Sequence, residues 1–177
     1  MDDYSIELDQ ETGQHCTLRL FTDVTNTSEI REKLVAGNLR CCVAKASLMT
    51  DALQAVIAAN KAALGAKRNR LVTRSVYTEV LFYLSMSKNI SRSLAEFGIG
   101  DNDRNILVLL IHEPDEREAL LEKISESVKG ERVSISRLRE FTDVGLVRKT
   151  YKIEEDELRC SNLTDAVVSR ISCKEFM

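Results

Sequence analysis

The run Ile106–Ile111 (ILVLLI) is the longest uninterrupted apolar stretch in the chain. A short continuous run of this kind favours a strand that is buried on both faces. It is far shorter than the roughly 20 residues that a membrane-spanning helix needs. Two other segments alternate at least in part between apolar and polar residues and are typical of strands, Thr17–Phe21 and Arg132–Ser136. The pattern therefore predicts a small sheet that contains Ile106–Ile111.

Most of the remaining chain carries helical signals. Leu48–Ala66 is rich in alanine, which has the highest helix propensity, so it predicts a long buried helix. Gly98 predicts a left-handed helix end. The predicted helices are Thr27–Leu34, Leu48–Ala66, Val76–Leu84, Asn89–Gly98, a helix that starts at Pro114, Leu138–Lys149 and Asn162–Lys174. The fold class is therefore α+β, a single helix-rich domain with a small mixed β-sheet over residues 16–177, after a partly loose acidic start at residues 1–15.

Length, net charge and cysteine content limit the kinds of protein that this chain can be. A length of 177 residues favours one domain, and the formal net charge of −3 gives no global attraction to nucleic acid, so any such site must be a local patch. The acidic first residues lack the apolar core of a secretory signal peptide. Five cysteines without a disulfide spacing indicate reduced thiols. We therefore expect a protein of the cytoplasm and nucleus.

The chain offers few residues for catalysis. His15 adjoins Cys16, but no third residue at a recognisable spacing would orient such a pair. Cysteine and histidine spacings typical of metal sites are absent, and Gly98-Ile99-Gly100 lacks the third glycine of a dinucleotide loop. The sequence thus predicts no catalytic residue, no metal and no cofactor. The alternative is a small stand-alone enzyme that uses the Cys16–His15 pair or a buried carboxylate.

One segment has an unusual charge. Residues 52–78 contain no Asp or Glu in a chain that is acidic overall, so a local positive field could attract phosphates. The alternative interpretation is a solvated loop with cations that suit the end of a helix. The cations of this segment are Lys61, Lys67, Arg68, Arg70 and Arg74.

The last predicted helix carries an apolar stripe that consists of Leu163, Ala166, Val167 and Ile171, with Arg170 alongside. Terminal amphipathic helices are common partner surfaces. The alternative is a helix that packs on its own core, which is the more frequent case.

Several stretches together resemble one known family. They lie in the same order and at the same spacing as in the PRPK-binding proteins (TPRKB), the small kinase-binding subunits of the KEOPS (EKC) complex. The resemblance extends from about Leu18 to Lys174. The stretches that carry it are Leu20–Val24, Ala58–Ala62, Thr73–Ser85, Asn89–Ile99 and Leu163–Ile171.

The resemblance implies an adaptor with the CGI-121-type fold and no enzymatic activity of its own. Its partners would be a PRPK-type kinase in direct contact, the threonylcarbamoyl-transferase subunit through that kinase, and a tRNA held by its 3′ CCA end. It leaves open whether the subunit regulates the kinase ATPase or only tethers it. The kinase contact in the family implies a role for Leu163, Ala166, Val167, Arg170 and Ile171. The tRNA contact fits Lys61, Lys67, Arg68, Arg70 and Arg74 by charge.

The chain departs from the family pattern at one place. Many relatives have Asn-Pro ahead of the long helix, where this chain has Lys45-Ala46. Because proline fixes one backbone angle, a turn that it would pin is expected to differ here.

Overall fold

The computed structural model describes Met1 and residues 3–177. The strands are β1 (Tyr4–Glu7), β2 (His15–Thr22), β3 (Cys42–Lys45), β4 (Ile106–His112) and β5 (Glu131–Val133). The helices are α1 (Thr27–Val35), α2 (Ala52–Lys67), α3 (Val76–Leu84), α4 (Ile90–Phe97), α5 (Arg117–Ser127), α6 (Val144–Tyr151), α7 (Glu155–Cys160) and α8 (Leu163–Ser172). Short 3-10 turns cover Ala46–Leu48, Ile135–Glu140 and Lys174–Phe176.

The sheet is built around β2 and β4. Its strand order is β1-β2-β4-β3, and β5 also pairs with β2. β1 pairs with residues 15–18 of β2 and β5 with residues 20–22, so the two short strands share one edge of β2. The α+β class is confirmed. The sheet is antiparallel in each of its described pairings rather than mixed.

The central strand β4 is buried along its whole length, as its apolar run predicts. Successive side chains of a strand point to opposite faces of the sheet. Leu107 and Leu109 pack into the core formed with α2, α3, α6 and α8. Val108 and Leu110 pack into a second core formed with α1 and α5. The sheet is therefore the middle layer of three.

The acidic start differs from the expected loose segment. Tyr4–Glu7 form β1, and the Asp3 carboxylate pairs with Arg19 at 2.8 Å, with Arg117 at 3.3 Å and with Arg132. Arg19 lies in β2, Arg117 in α5 and Arg132 in β5. The polarity of the first residues could not reveal partners so far away in the chain. The N-terminal residues described from Asp3 onward are thus attached to the sheet by strand pairing and by the largely covered carboxylate of Asp3.

The helix predicted from Pro114 begins at Arg117, and the one predicted over Leu138–Lys149 is a 3-10 turn to Glu140 followed by α6. Two further boundaries are wrong for local reasons. The strand predicted over Arg132–Ser136 ends at Val133, because the Ser134 hydroxyl accepts a hydrogen bond from the backbone of Ser136 at 3.3 Å and starts a 3-10 turn. The long helix begins at Ala52 rather than at Leu48, because the Asp51 carboxylate caps it by accepting from the backbone of Leu53 at 3.0 Å.

Gly98 ends α4 as predicted, but its backbone is not left-handed, with φ −68°. A Cβ at this position would lie 2.5 Å from the carbonyl oxygen of Leu94, so glycine is required by close approach. Strand β3 and helix α7 have no counterpart in the sequence prediction. Among the described residues, no helix has both the length and the apolar character needed to cross a bilayer.

Candidate functional site

The cations of the 61–74 segment lie at the C-terminal half of α2 and in the loop that follows it. Lys67, Arg70 and Arg74 are exposed and pair with no carboxylate among the described residues. Three unpaired cations within eight residues form a local positive surface on an acidic protein. This part of the predicted phosphate-binding set is therefore available to a ligand.

Lys61 has a structural role instead. Its ammonium donates to the carbonyl oxygens of Ile171 at 2.8 Å and Ser172 at 3.1 Å, and to the Glu175 carboxylate at 2.6 Å. Its side chain is only 15% exposed. The ammonium also lies 4.9 Å from the centre of the Tyr83 ring. Lys61 thus satisfies carbonyl groups at the end of α8, where a positive charge is favourable.

Arg68 is also paired within the chain. Its guanidinium donates to both carboxylate oxygens of Glu11, at 3.0 and 2.5 Å. This hydrogen bonding holds the pKa of Glu11 below its usual range. A phosphate would have to displace Glu11 in order to bind Arg68. Of the five predicted cations, Lys61 and Arg68 are therefore neutralised by the protein itself.

The apolar stripe of α8 faces the protein core. Ala166, Val167 and Ile171 are all buried there, and Ile171 is 2% exposed. These three side chains are therefore already shielded from water in the folded chain, and they offer little apolar area to a partner. Arg170 binds both oxygens of Glu157, at 2.6 and 2.7 Å, and so joins α8 to α7. Of the residues expected to contact a kinase, Leu163 remains partly accessible as an apolar side chain.

A second surface lies where α2, α6 and α8 begin. We call it the helix-start patch and define it by Leu53, Val144 and Leu163, with Asp51 and Asp165 on its rim. Leu53 is 45% exposed and Val144 is 52% exposed. They line a depression of about 550 Å³. The patch is thus apolar at its centre and polar at its edge, where Arg139 pairs with Asp51 at 3.1 Å.

Sequence reasoning missed this patch because it joins three segments that are distant in the chain. Each helix opens with a capping side chain, from Asp51, Asp143 and Asn162, and each carries an apolar residue in its first turn. Recognising three such starts was possible from sequence. Their convergence on one surface was not.

The Cys16–His15 pair does not form a catalytic site. Adjacent residues of β2 point to opposite faces of the sheet, so the thiol and the imidazole cannot meet. Cys16 is fully buried, and burial raises the pKa of its thiol to about 12. His112 is held by Thr17 at 2.7 Å and by the carbonyl of Glu113 at 2.8 Å. Among the described residues, no group of acidic, His and Cys side chains has the arrangement of a metal site.

Comparison with known proteins places these surfaces in context. Residues 21–175 match the family model described as kinase binding protein CGI-121. The chain belongs to the CGI-121 family. A zebrafish (Danio rerio) protein named EKC/KEOPS complex subunit TPRKB is 36% identical over 159 residues, which cover 90% of each chain. A Yarrowia lipolytica protein named EKC/KEOPS complex subunit CGI121 is 32% identical and covers 79% of this chain and 80% of its own. The resemblance inferred from the sequence is confirmed.

In this member of the CGI-121 family, a turn still forms at Lys45-Ala46, where many relatives have Asn-Pro. Ala46 begins a 3-10 turn directly after β3. Its backbone N–H donates to the carbonyl oxygen of Asn105 at 3.2 Å. Proline has no N–H and could not make this bond. The hydrogen bond therefore stabilises the turn that proline was expected to restrict.

Proposed function

We propose that the chain is a non-catalytic subunit of an EKC/KEOPS-type complex. In this role it binds a PRPK-type kinase and helps hold tRNA while threonylcarbamoyladenosine is made. The observation that carries the proposal is the match to an EKC/KEOPS subunit over 90% of both chains. The transferase subunit would be reached through the kinase. A location in cytoplasm and nucleus belongs to the same proposal, and it fits the five free cysteines.

The helix-start patch is the kinase-docking surface in this proposal. The buried stripe of α8 cannot supply apolar contact area, whereas Leu53 and Val144 can. Apolar anchors surrounded by a polar rim are typical of stable protein interfaces. On the rim, Asp51 is already paired with Arg139, so the exposed apolar side chains rather than charge supply the affinity in this proposal. The patch also includes the first residue of α8, the helix that the family resemblance implicates.

The double variant Leu53→Asp and Val144→Asp tests this surface. Both positions lie in the first turn of a helix, where an acidic side chain is favourable, so the fold is expected to survive. We expect kinase affinity, measured by calorimetry, to fall by roughly tenfold or more, since central anchors carry most binding energy. Val72→Asp, a half-exposed valine beyond α2, is the matched control and should bind normally. Full kinase retention by the double variant would contradict the assignment.

Lys67, Arg70 and Arg74 supply the tRNA contact in this proposal. They are the cations of the segment without a partner among the described carboxylates. Each phosphate neutralised on a single strand adds about −0.7 to the slope of log K against log salt. Reversal of all three charges to Glu should therefore weaken tRNA binding by the assembled complex and flatten this slope by about 2. Arg159→Glu, an exposed cation on α7, is the control. Equal tRNA affinity and equal slope in both variants would remove the three cations from the site.

A further inference from the structure

The loop between α2 and α3 carries Arg70 and Arg74 and is fixed to the rest of the chain at both ends. At its start the backbone turns at Asn69, whose φ of 53° lies in the left-handed region that asparagine tolerates. The backbone N–H of Arg70 then donates to the carbonyl oxygen of Gly65 at 2.8 Å. This bond satisfies a carbonyl group at the end of α2. The first half of the loop is therefore attached to α2.

The second half of the loop is held by one buried carboxylate. Glu79, in the first turn of α3, is 0% exposed. Its Oε1 accepts from the backbone N–H of Val72 at 3.0 Å, and its Oε2 accepts from the backbone N–H of Thr73 at 2.8 Å. The Thr73 hydroxyl also donates to Oε2, at 2.7 Å. All three donors thus come from the two adjacent residues that lie between Arg70 and Arg74.

Glu79 is not needed to begin α3. The side chains of Ser75 and Thr78 already form a reciprocal cap there, with hydrogen bonds of 3.1 and 3.2 Å to each other's backbone N–H. Glu79 also forms no ion pair among the described residues, although the buried Lys174 attracts it from a greater distance. A buried carboxylate is costly unless hydrogen bonds satisfy it, and here the loop supplies them. The carboxylate therefore couples α3 to the loop.

We propose that Glu79 is a positioning residue for tRNA binding. It holds residues 72–73 so that Arg70 and Arg74 are presented to phosphate groups before the tRNA arrives. A loop that is already ordered loses less conformational freedom on binding, which raises affinity. This inference rests on the proposed function, because that function assigns the two arginines to tRNA.

Charge alone predicts the opposite effect for Glu79. A carboxylate next to the basic segment repels phosphate, so its removal would strengthen tRNA binding if only the local field mattered. If Glu79 acts by holding the loop, its removal weakens binding. The direction of the change therefore separates the two explanations.

Four variants separate positioning from charge. Glu79→Gln keeps the shape of the side chain but turns a donor toward a backbone N–H, so one bond to the loop is lost. Thr73→Val removes only the hydroxyl donor and leaves the net charge unchanged, whereas Thr73→Ser retains that donor. Glu122→Gln makes the same charge change at an exposed position of α5, on the other side of the sheet.

Amide hydrogen exchange, followed by NMR in the free full chain, measures the order of the loop. The N–H groups of Val72 and Thr73 should exchange slowly in the wild type and in Thr73→Ser. In Glu79→Gln they should exchange at least about tenfold faster, while the amides of β4 keep their protection. Unprotected Val72 and Thr73 amides in the wild type would overturn the proposal.

Titration of tRNA into the assembled complex at several salt concentrations measures the consequence. Glu79→Gln should weaken binding about fivefold and Thr73→Val about twofold. The slope of log K against log salt should stay unchanged in both, because the same number of phosphates is neutralised. Thr73→Ser and Glu122→Gln should bind like the wild type.

The triple reversal of Lys67, Arg70 and Arg74 belongs in the same titration. If it weakens binding while Glu79→Gln binds as well as or better than the wild type, the positioning role is refuted and the tRNA surface stands. If the triple reversal has no effect, the surface itself fails, and the positioning role fails with it. Should Glu79→Gln not fold, equal tRNA affinity of Thr73→Val and Thr73→Ser would overturn the proposal.

Discussion

Replacement of Ile171 by alanine separates a core role for α8 from a docking role. Ile171 is 2% exposed and packs in the core that α8 shares with α2. Truncation removes three buried carbon atoms from a site that cannot fully collapse. Such changes cost 2–5 kcal/mol, and we expect about 3 kcal/mol here. Domains of this kind are stable by about 5–15 kcal/mol, so the variant should still fold at 25 °C.

Urea unfolding followed by circular dichroism measures this loss. The midpoint should fall with an unchanged m-value, and the melting temperature should fall by about 6–12 °C, since 1 kcal/mol shifts a domain of this size by about 2–4 °C. Ser169→Ala, on the exposed face of the same helix, should change the free energy of unfolding by less than about 0.5 kcal/mol. Kinase affinity of the folded Ile171→Ala protein should stay within about twofold of wild type, which calorimetry measures.

The opposite pattern would refute this reasoning. If Ile171→Ala changed stability by less than about 1 kcal/mol and kinase affinity by more than about tenfold, the stripe would be a docking surface. The buried arrangement of α8 would then be incorrect.

Three further predictions concern stability. Asp3→Asn should cost about 2–3 kcal/mol at pH 7 by leaving Arg19 without its charged partner. Because hydrogen bonding to Arg19 lowers the pKa of Asp3, the wild-type advantage in urea should be complete above about pH 4 and vanish as the pH falls through the lowered value. Gly98→Ala should cost more than about 2 kcal/mol because of the clash with Leu94, whereas Gly100→Ala should be nearly neutral. The buried Lys174 ammonium bonds the carbonyl of Phe82, and burial lowers its pKa to about 8. Wild type should therefore gain stability relative to Lys174→Met as the pH rises from about 8 to about 10.5, which parallel urea titrations would show.

Local patterns were sufficient to predict most elements of this fold. The run at Ile106–Ile111 predicted the central strand, and Asn162 correctly marked the start of α8. Strand β3 escaped prediction because its four residues contain no alternation and gain their stability from pairing with β4. Pairing partners lie far away in the chain, so short strands of this kind depend on tertiary context.

The candidate site was predicted only in part, for a related reason. Of the five cations that charge composition selected, Lys67, Arg70 and Arg74 are exposed and free of carboxylate partners among the described residues. Composition could not show that Glu11 neutralises Arg68 or that Glu175 neutralises Lys61, because these carboxylates are 57 and 114 residues away. The periodicity of α8 identified its apolar face correctly. It could not show whether that face packs on the core of the same chain or binds a partner.

The two surfaces of the proposed function lie at opposite ends of one helix. Leu53 is in the first turn of α2 and Lys67 is its last residue, which places them about 21 Å apart along the helix axis. This distance exceeds the Debye length of about 8 Å at physiological salt, so a charge at one end has little effect on binding at the other. Under the proposed function, charge at one surface would therefore leave binding at the other unaffected.

This separation predicts that the two activities respond independently to mutation. The triple charge reversal at Lys67, Arg70 and Arg74 should leave kinase affinity within about twofold of wild type. The triple variant can also be combined with the Leu53→Asp and Val144→Asp double variant. With the kinase absent, the changes in tRNA-binding free energy of the two variants should add within about 0.5 kcal/mol. A larger coupling energy would mean that α2 transmits a structural change between its ends, and the chain would then act as a switch rather than as a rigid adaptor.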